Sequence, residues 1–85
     1  GLVGGPPLLS RALTVALPES VVAPGLGALQ ERFAEVEMGS YPFQRGGRFG
    51  TSLVLRSSDL ELLDRAAEEL EALVRGLGGE GEWSV

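Results

Sequence analysis

Two arginines flank two glycines in the middle of the chain, in the order Arg45-Gly46-Gly47-Arg48. Guanidinium groups and glycine backbone N–H groups are among the groups with which proteins hold phosphate and carboxylate ligands. Glycines and charged residues are also what a solvated hairpin turn requires. The sequence therefore leaves two interpretations open: a nucleotide- or phosphate-binding site formed by these four residues, and an ordinary turn.

Three of the five aromatic residues, Tyr41, Phe43 and Phe49, lie on either side of this glycine pair. Exposed rings on a sheet stack on single-stranded RNA bases in several RNA-binding domains, and rings of this kind also pack against neighbouring protein surfaces. The net charge of −5 opposes nucleic-acid binding, because neutralisation of phosphates supplies most of the non-specific affinity. We therefore expect a protein-contact surface here, with single-stranded RNA binding as an alternative.

The composition removes most catalytic chemistry. The chain has no cysteine and no histidine, so it cannot provide a cysteine nucleophile, a histidine-assisted serine, or a thiolate or imidazole metal site. Its 12 carboxylates show no spacing that isolates a pair on an apolar face, as a general acid–base pair would require. We expect a chain that is not an enzyme and that binds no metal and no cofactor.

The amino-terminal residues predict a linker rather than a targeting segment. The first nine, GLVGGPPLL, lack the basic start of a signal peptide and are rich in glycine and proline, which is typical of a linker. No apolar segment reaches the roughly 20 residues that a membrane-spanning helix needs. We expect a cytoplasmic protein with a linker at 1–9 and one small α/β domain at 10–85.

The glycine pair lies between two segments with strand periodicity. Val36 and Met38 alternate with Glu37 and Gly39 in the first segment, and Leu53 and Leu55 alternate with the other residues of 52–56 in the second. This period of two is typical of strands buried on one face. Gly-Gly suits a tight hairpin turn, which we place at 44–48. Pro42 cannot donate a ladder hydrogen bond, so the first strand of the hairpin is predicted to be interrupted there or to lie at a sheet edge.

A strand and a helix are predicted before the hairpin. The strand covers Ser10–Leu17, where Leu13, Val15 and Leu17 alternate with small residues and Arg11 falls on the apolar face near the strand end. The helix is predicted over Ser20–Ala34, with Ser20 as its N-cap and Pro24 in its first turn. Gly25 and Gly27 weaken this helix but allow it to approach the sheet closely.

A second helix follows the hairpin. Ser58 and Glu61 have the spacing of a capping box, and the glycines at 78–79 are typical of a helix end. Residues 82–85 are compatible with a short last strand containing Trp83. The pattern predicts an α+β, two-layer ferredoxin-like βαββα(β) sandwich, an antiparallel sheet with two helices on one face. A KH-like βαββα sheet is the alternative if the last strand is absent.

Three segments carry a family resemblance: VEMGSYPF at 36–43, GRFGTSLVLR at 47–56 and LGGE at 77–80. They are similar to the segment that follows the molybdopterin-binding-like domain in the competence/damage-inducible protein A (CinA) family. The resemblance covers about residues 8–80 and implies an accessory domain of KH type. It also implies a parent protein with a domain linked to nucleotide pyrophosphatase activity, and in some members a second domain that deamidates nicotinamide mononucleotide.

Neither of those catalytic domains is in this chain, so the resemblance transfers no catalytic residue. Together with the small, weakly polar strand face of Ala12, Thr14 and Ala16, it predicts a non-catalytic accessory domain. We expect this domain to mediate contacts with a neighbouring domain of the parent protein or with an identical copy.

Overall fold

The computed structural model describes residues 6–84, which form six elements in the predicted order. The predicted linker at 1–9 falls partly outside this range, since residues 1–5 are not among those described, and the first strand already begins at Leu9. The elements are β1 (Leu9–Val15), α1 (Glu19–Arg32), β2 (Glu37–Arg45), β3 (Arg48–Ser57), α2 (Leu60–Gly76) and β4 (Gly81–Ser84).

The strands form one antiparallel sheet in the order β2-β3-β1-β4, with both helices against one of its faces. The last strand is present, because Trp83 of β4 lies opposite Leu13 of β1. The predicted ferredoxin-like fold is therefore confirmed, and the KH-like alternative, which lacked this strand, is not adopted.

The core lies between the sheet and the helices. Alternate residues of β1 and β3 point into it, while α2 supplies the longest stripe of fully or nearly fully buried side chains. The buried apolar residues are Leu13, Val15, Val22, Leu26, Leu29, Phe33, Val36, Leu53, Leu55, Leu63, Ala66, Ala67, Leu70 and Val74.

The hairpin has the predicted turn. Gly46 and Gly47 have φ values of 55° and 81°, the left-handed conformation that a two-residue hairpin turn of type I′ requires at both positions. Arg45 and Arg48 are the pair that closes the turn. Pro42 is accommodated without a break because β2 is an edge strand, where a residue without an N–H is tolerated.

The start of α1 differs from the prediction. Ser20 is not the N-cap: the helix begins at Glu19, after Pro18, whose extended backbone (φ −66°, ψ 150°) forms the cap without a side-chain hydrogen bond. Pro24 therefore lies in the second turn instead of the first, where its missing N–H deprives the Ser20 carbonyl of an intrahelical donor. Glu19 is held from outside the helix, since the Ser40 hydroxyl donates a 2.6 Å hydrogen bond to its carboxylate.

The two glycines of α1 do not have the role predicted for them, which was to bring the helix close to the sheet. A Cβ on Gly25 would lie 2.5 Å from Cδ1 of Leu73 in α2, whereas a Cβ on Gly27 would meet no atom within 4 Å. The prediction that these glycines bring the helix close to the sheet is wrong. Gly25 instead allows α1 and α2 to pack closely against each other.

The start of α2 is shifted by one residue. Its N-cap is Asp59, whose carboxylate accepts a 3.1 Å hydrogen bond from the Leu62 N–H, so Ser58 is not the cap. The end is as predicted. The Gly78 N–H donates to the Arg75 carbonyl and the Gly79 N–H to the Val74 carbonyl, which is the Schellman arrangement.

Candidate functional site

The sheet face that points away from the helices has no layer over it in the described chain. We call this surface the open face. Strand alternation and the pairing register determine its members. They are Ser10, Ala12 and Thr14 of β1, Glu37, Gly39, Tyr41, Phe43 and Arg45 of β2, Arg48, Gly50, Ser52, Val54 and Arg56 of β3, and Glu82 and Ser84 of β4.

The three aromatic residues predicted to form one contact surface are divided between the two faces of the sheet. Tyr41 and Phe43 lie on the open face, whereas Phe49 pairs with Gln44 and is therefore on the opposite face. Phe49 extends beyond the helix-covered part of the sheet and is 59% exposed, and Tyr41 is 52% exposed. The predicted surface is thus formed by two of the three rings.

Both open-face rings lie against glycines. A Cβ on Gly39 would be 3.0 Å from the Tyr41 hydroxyl oxygen, and a Cβ on Gly50 would be 2.8 Å from Cζ of Phe43. The rings therefore lie along the sheet and cover the glycine backbone, an arrangement that protects glycine in strands. As a result, these two residues present the faces of their rings over Gly39 and Gly50.

The hairpin tip contains the predicted anion-binding residues Arg45, Gly46, Gly47 and Arg48, all of them exposed. The two arginines are direct cross-strand partners, so both side chains leave the same face. The Arg45 guanidinium carbon lies 5.5 Å from the centroid of the Phe43 ring. Neither guanidinium has a described carboxylate within 4 Å, while four of the other five arginines do. Anion binding at this tip stays a prediction.

Most charged groups with partners lie on the helix side or at the far end of the sheet. Arg11, which β1 projects toward α2, lies 2.5 Å from Asp64, and Arg56 lies 3.3 Å from Glu37 across the β2–β3 pair. Within residues 6–84 no group of three or more acidic side chains is placed to hold a metal ion. Over the same residues, neither helix is long and apolar enough to span a membrane.

Sequence reasoning missed part of the open face. It identified Ala12 and Thr14 as a weakly polar strand surface, but it did not connect them with Ser52 and Val54, which lie opposite them in β3. The alternation of side chains in β3 already places Ser52 and Val54 on one face of that strand. Only the register brings Tyr41, Ser52 and Thr14 into one row across three strands.

The sequence that forms these elements matches a known family. A family model described as the middle domain of FAD synthase matches residues 7–77. The chain belongs to the FAD synthase middle-domain family. As a member of this family it is a ferredoxin-like accessory domain, which confirms that part of the prediction, while the more specific CinA relationship stays a prediction. No curated protein matches the chain.

Solved structures similar to this chain support the fold. The de novo designed protein Foldit4 has a TM-score of 0.65 at 17% identity and covers 92% of this chain and 96% of its own. The designed ferredoxin-fold protein LFR1 1 has a TM-score of 0.66 at 9% identity and covers 92% and 83%. Formyltetrahydrofolate deformylase from Burkholderia mallei has a TM-score of 0.58 at 17% identity, but only 28% of that chain is covered. At these identities the similarity shows the fold alone.

Proposed function

We propose that this middle domain is a non-catalytic accessory module that packs the centre of its open face against a neighbouring domain of the same protein. The family description supports the presence of a neighbour, because a middle domain is one part of a larger protein. The observation that carries the proposal is the uncharged centre of the open face, which contains the exposed ring of Tyr41.

The centre of the open face is uncharged. It consists of Ala12, Gly39, Tyr41, Ser52 and Val54, with the charged side chains placed toward the ends and edges of the sheet. Cores of protein–protein interfaces are depleted of charge and enriched in tyrosine. Tyr41 supplies a large ring at small conformational cost, because it already lies along the strand against Gly39.

We further propose that the parent protein is CinA-like in its domain organisation. The GSYP segment that supports this resemblance includes Gly39 and Tyr41, which lie in the centre of the open face. In this proposal the catalytic residues belong to the flanking domains, and the middle domain orients them. The lack of cysteine and histidine in the chain agrees with this division of labour.

Hydroxyl-radical footprinting tests the proposed contact. The oxidation rate of Tyr41 is measured by mass spectrometry in the 85-residue chain and in the protein that contains it together with its neighbouring domains. We expect Tyr41 to be oxidised several-fold more slowly in the longer protein, because the neighbouring domain covers it. Leu60, which is exposed in α2 on the helix side of the sheet and lies outside the open face, is the internal control and keeps its rate.

A charge in the centre of the face provides the matched variant. In the longer protein, Val54→Glu is expected to restore the Tyr41 oxidation rate of the isolated chain, whereas Val21→Glu on the exposed side of α1 leaves it unchanged. Equal Tyr41 rates in the isolated chain and the longer protein would contradict the proposal.

A further inference from the structure

A groove lies between the tip of the hairpin and the last strand, away from the centre of the open face. Arg45 and Arg48 form one of its walls, and Glu80 and Glu82 form the other. Thr14 and Phe43 line the floor between these walls. The two walls therefore have opposite charges and face each other across a weakly polar surface.

The charged groups on the two walls form no ion pair with any group of residues 6–84. No carboxylate among residues 6–84 lies within 4 Å of either tip guanidinium, although four of the other five arginines have such a partner; Arg65 on α2 is the one that does not. Arg45 and Arg48 are also direct cross-strand neighbours, and like charges in this relation repel each other. An external group with negative charge would relieve this repulsion.

The charges of the two walls make the groove complementary to a second copy of itself. A surface with a basic wall and an acidic wall becomes self-complementary when a second copy is turned about a two-fold axis, because each basic wall then meets the partner's acidic wall. A small anion would meet Glu80 and Glu82 in the same groove, and these carboxylates oppose its binding. The charge pattern thus favours a protein partner with both charges over a phosphate.

We propose that a second copy of this chain binds in this groove, with the arginine wall of each copy against the glutamate wall of the other. The Phe43 ring supports this contact by holding the Arg45 guanidinium above its face, 5.5 Å from the ring centroid. The groove lies at the tip end of the sheet and leaves Tyr41 and the centre of the open face to the neighbouring domain. This inference goes beyond the proposed function and depends on a different observation.

Analytical ultracentrifugation of the 85-residue chain over a dilution series up to about 1 mM tests the proposal. We expect a concentration-dependent monomer–dimer equilibrium. The variants Arg45→Glu/Arg48→Glu and Glu80→Arg/Glu82→Arg are each expected to raise the dimer Kd by about tenfold or more, because each places like charges on facing walls. Circular dichroism melting curves confirm that both variants fold.

Mixing the two variants gives the decisive measurement. In a mixed dimer every reversed wall meets a wall of opposite charge, so an equimolar mixture is expected to recover a Kd close to that of the original chain. Arg65→Glu and Glu68→Arg, which lie on α2 outside the groove, are the controls and leave the Kd unchanged. A chain that stays monomeric, folded variants with an unchanged Kd, or a mixture that does not recover would each overturn the proposal.

Footprinting separates this inference from the proposed function. If the groove variants alter self-association while Tyr41 protection in the longer protein persists, both proposals stand. If self-association is absent and Tyr41 is still protected, the groove inference is overturned and the proposed function stands. If Tyr41 is not protected in the longer protein but the chain self-associates through the groove, the proposed function is overturned and the groove inference stands.

Discussion

The indole Nε1 of Trp83 donates a hydrogen bond to Oε2 of Glu71, 3.1 Å away, and so ties the last strand to the second helix. The other carboxylate oxygen, Oε1, lies 3.2 Å from the guanidinium of Arg75. β4 has four residues and pairs with only one neighbour, β1, along a register of four residue pairs. The short edge strand therefore depends on this side-chain contact more than the longer strands depend on theirs.

Replacing the indole tests this dependence. Trp83→Phe keeps a ring beside the core but removes the donor, and we expect the free energy of unfolding to fall by about 1–2 kcal/mol, since the acceptor is a carboxylate. Urea denaturation followed by circular dichroism measures this loss. The control is Arg75→Gln, which breaks a largely exposed ion pair to the same glutamate and should cost no more than about 0.5 kcal/mol. Equal effects of the two substitutions would show that the indole hydrogen bond does not secure β4.

The cap of α2 gives a second prediction. Asp59→Ala removes the carboxylate that accepts the Leu62 N–H and should lower the free energy of unfolding by about 1 kcal/mol. Ser58→Ala is the matched control, because Ser58 is exposed and lies outside the helix, and we expect a change of less than about 0.5 kcal/mol. Chemical denaturation of both variants measures the difference. A larger loss for Ser58→Ala than for Asp59→Ala would place the cap at Ser58.

The N-cap of α2 could not be predicted from the local sequence alone. Ser58 and Asp59 are both good capping residues, and the spacing to Glu61 favours Ser58. A tertiary contact selects the other residue. The Ser57 hydroxyl donates to the Glu35 carbonyl and accepts from the Asp59 N–H, each at 3.1 Å, and so fixes the chain one residue before the helix begins. No local pattern contains Glu35, which is distant in sequence.

The strands were more predictable than the contacts between elements. Alternation of side chains identified β1, the hairpin and the face that holds Ala12, because burial on one face imposes a period of two. The buried Thr51 hydroxyl, which donates a 2.8 Å hydrogen bond to the Leu17 carbonyl, could not be predicted in this way. Likewise, the groove at the tip requires the position of β4 beside β1, which only the folded sheet provides.

Gly25 and Gly27 of α1 provide a third prediction, because Gly25 faces Leu73 of α2 whereas Gly27 faces open space. Gly27→Ala should raise the free energy of unfolding by about 1 kcal/mol, because alanine has the higher helix propensity and the added Cβ meets nothing. Gly25→Ala gains the same propensity but places a methyl group 2.5 Å from Cδ1 of Leu73, and we expect a net loss of about 1 kcal/mol from overpacking. Urea denaturation of the two variants tests both signs.

A double-mutant cycle then identifies the cause of the Gly25 effect. In a Leu73→Ala background the clash is absent, so Gly25→Ala should become stabilising, with a coupling energy on the order of 1–2 kcal/mol. A Gly25→Ala variant that remains destabilising in this background would show that contact with α2 is not the reason for glycine at this position.

The side chain of Gln30 gives the last prediction, because it organises the connection between α1 and the edge strand. Its Nε2 donates to the Phe33 carbonyl at 3.1 Å and to the Val36 carbonyl at 2.7 Å, while its Oε1 accepts from the Met38 N–H at 3.0 Å. One amide therefore bonds three backbone groups between the end of α1 and the start of β2.

Gln30→Glu preserves the size of the side chain but removes both donors and directs a carboxylate oxygen at two carbonyl oxygens. We expect the free energy of unfolding to fall by about 2–3 kcal/mol at neutral pH, the range for unsatisfied partly buried groups with an added charge. Gln44→Glu is the matched control, since Gln44 is exposed near the hairpin tip, and it should change stability by less than about 0.5 kcal/mol. Urea denaturation measures both, and amide hydrogen exchange at Met38 should accelerate only in the Gln30 variant. If the two variants unfold at the same urea concentration, the Gln30 side chain does not hold this connection, and the position of the edge strand must depend on its pairing with β3 alone.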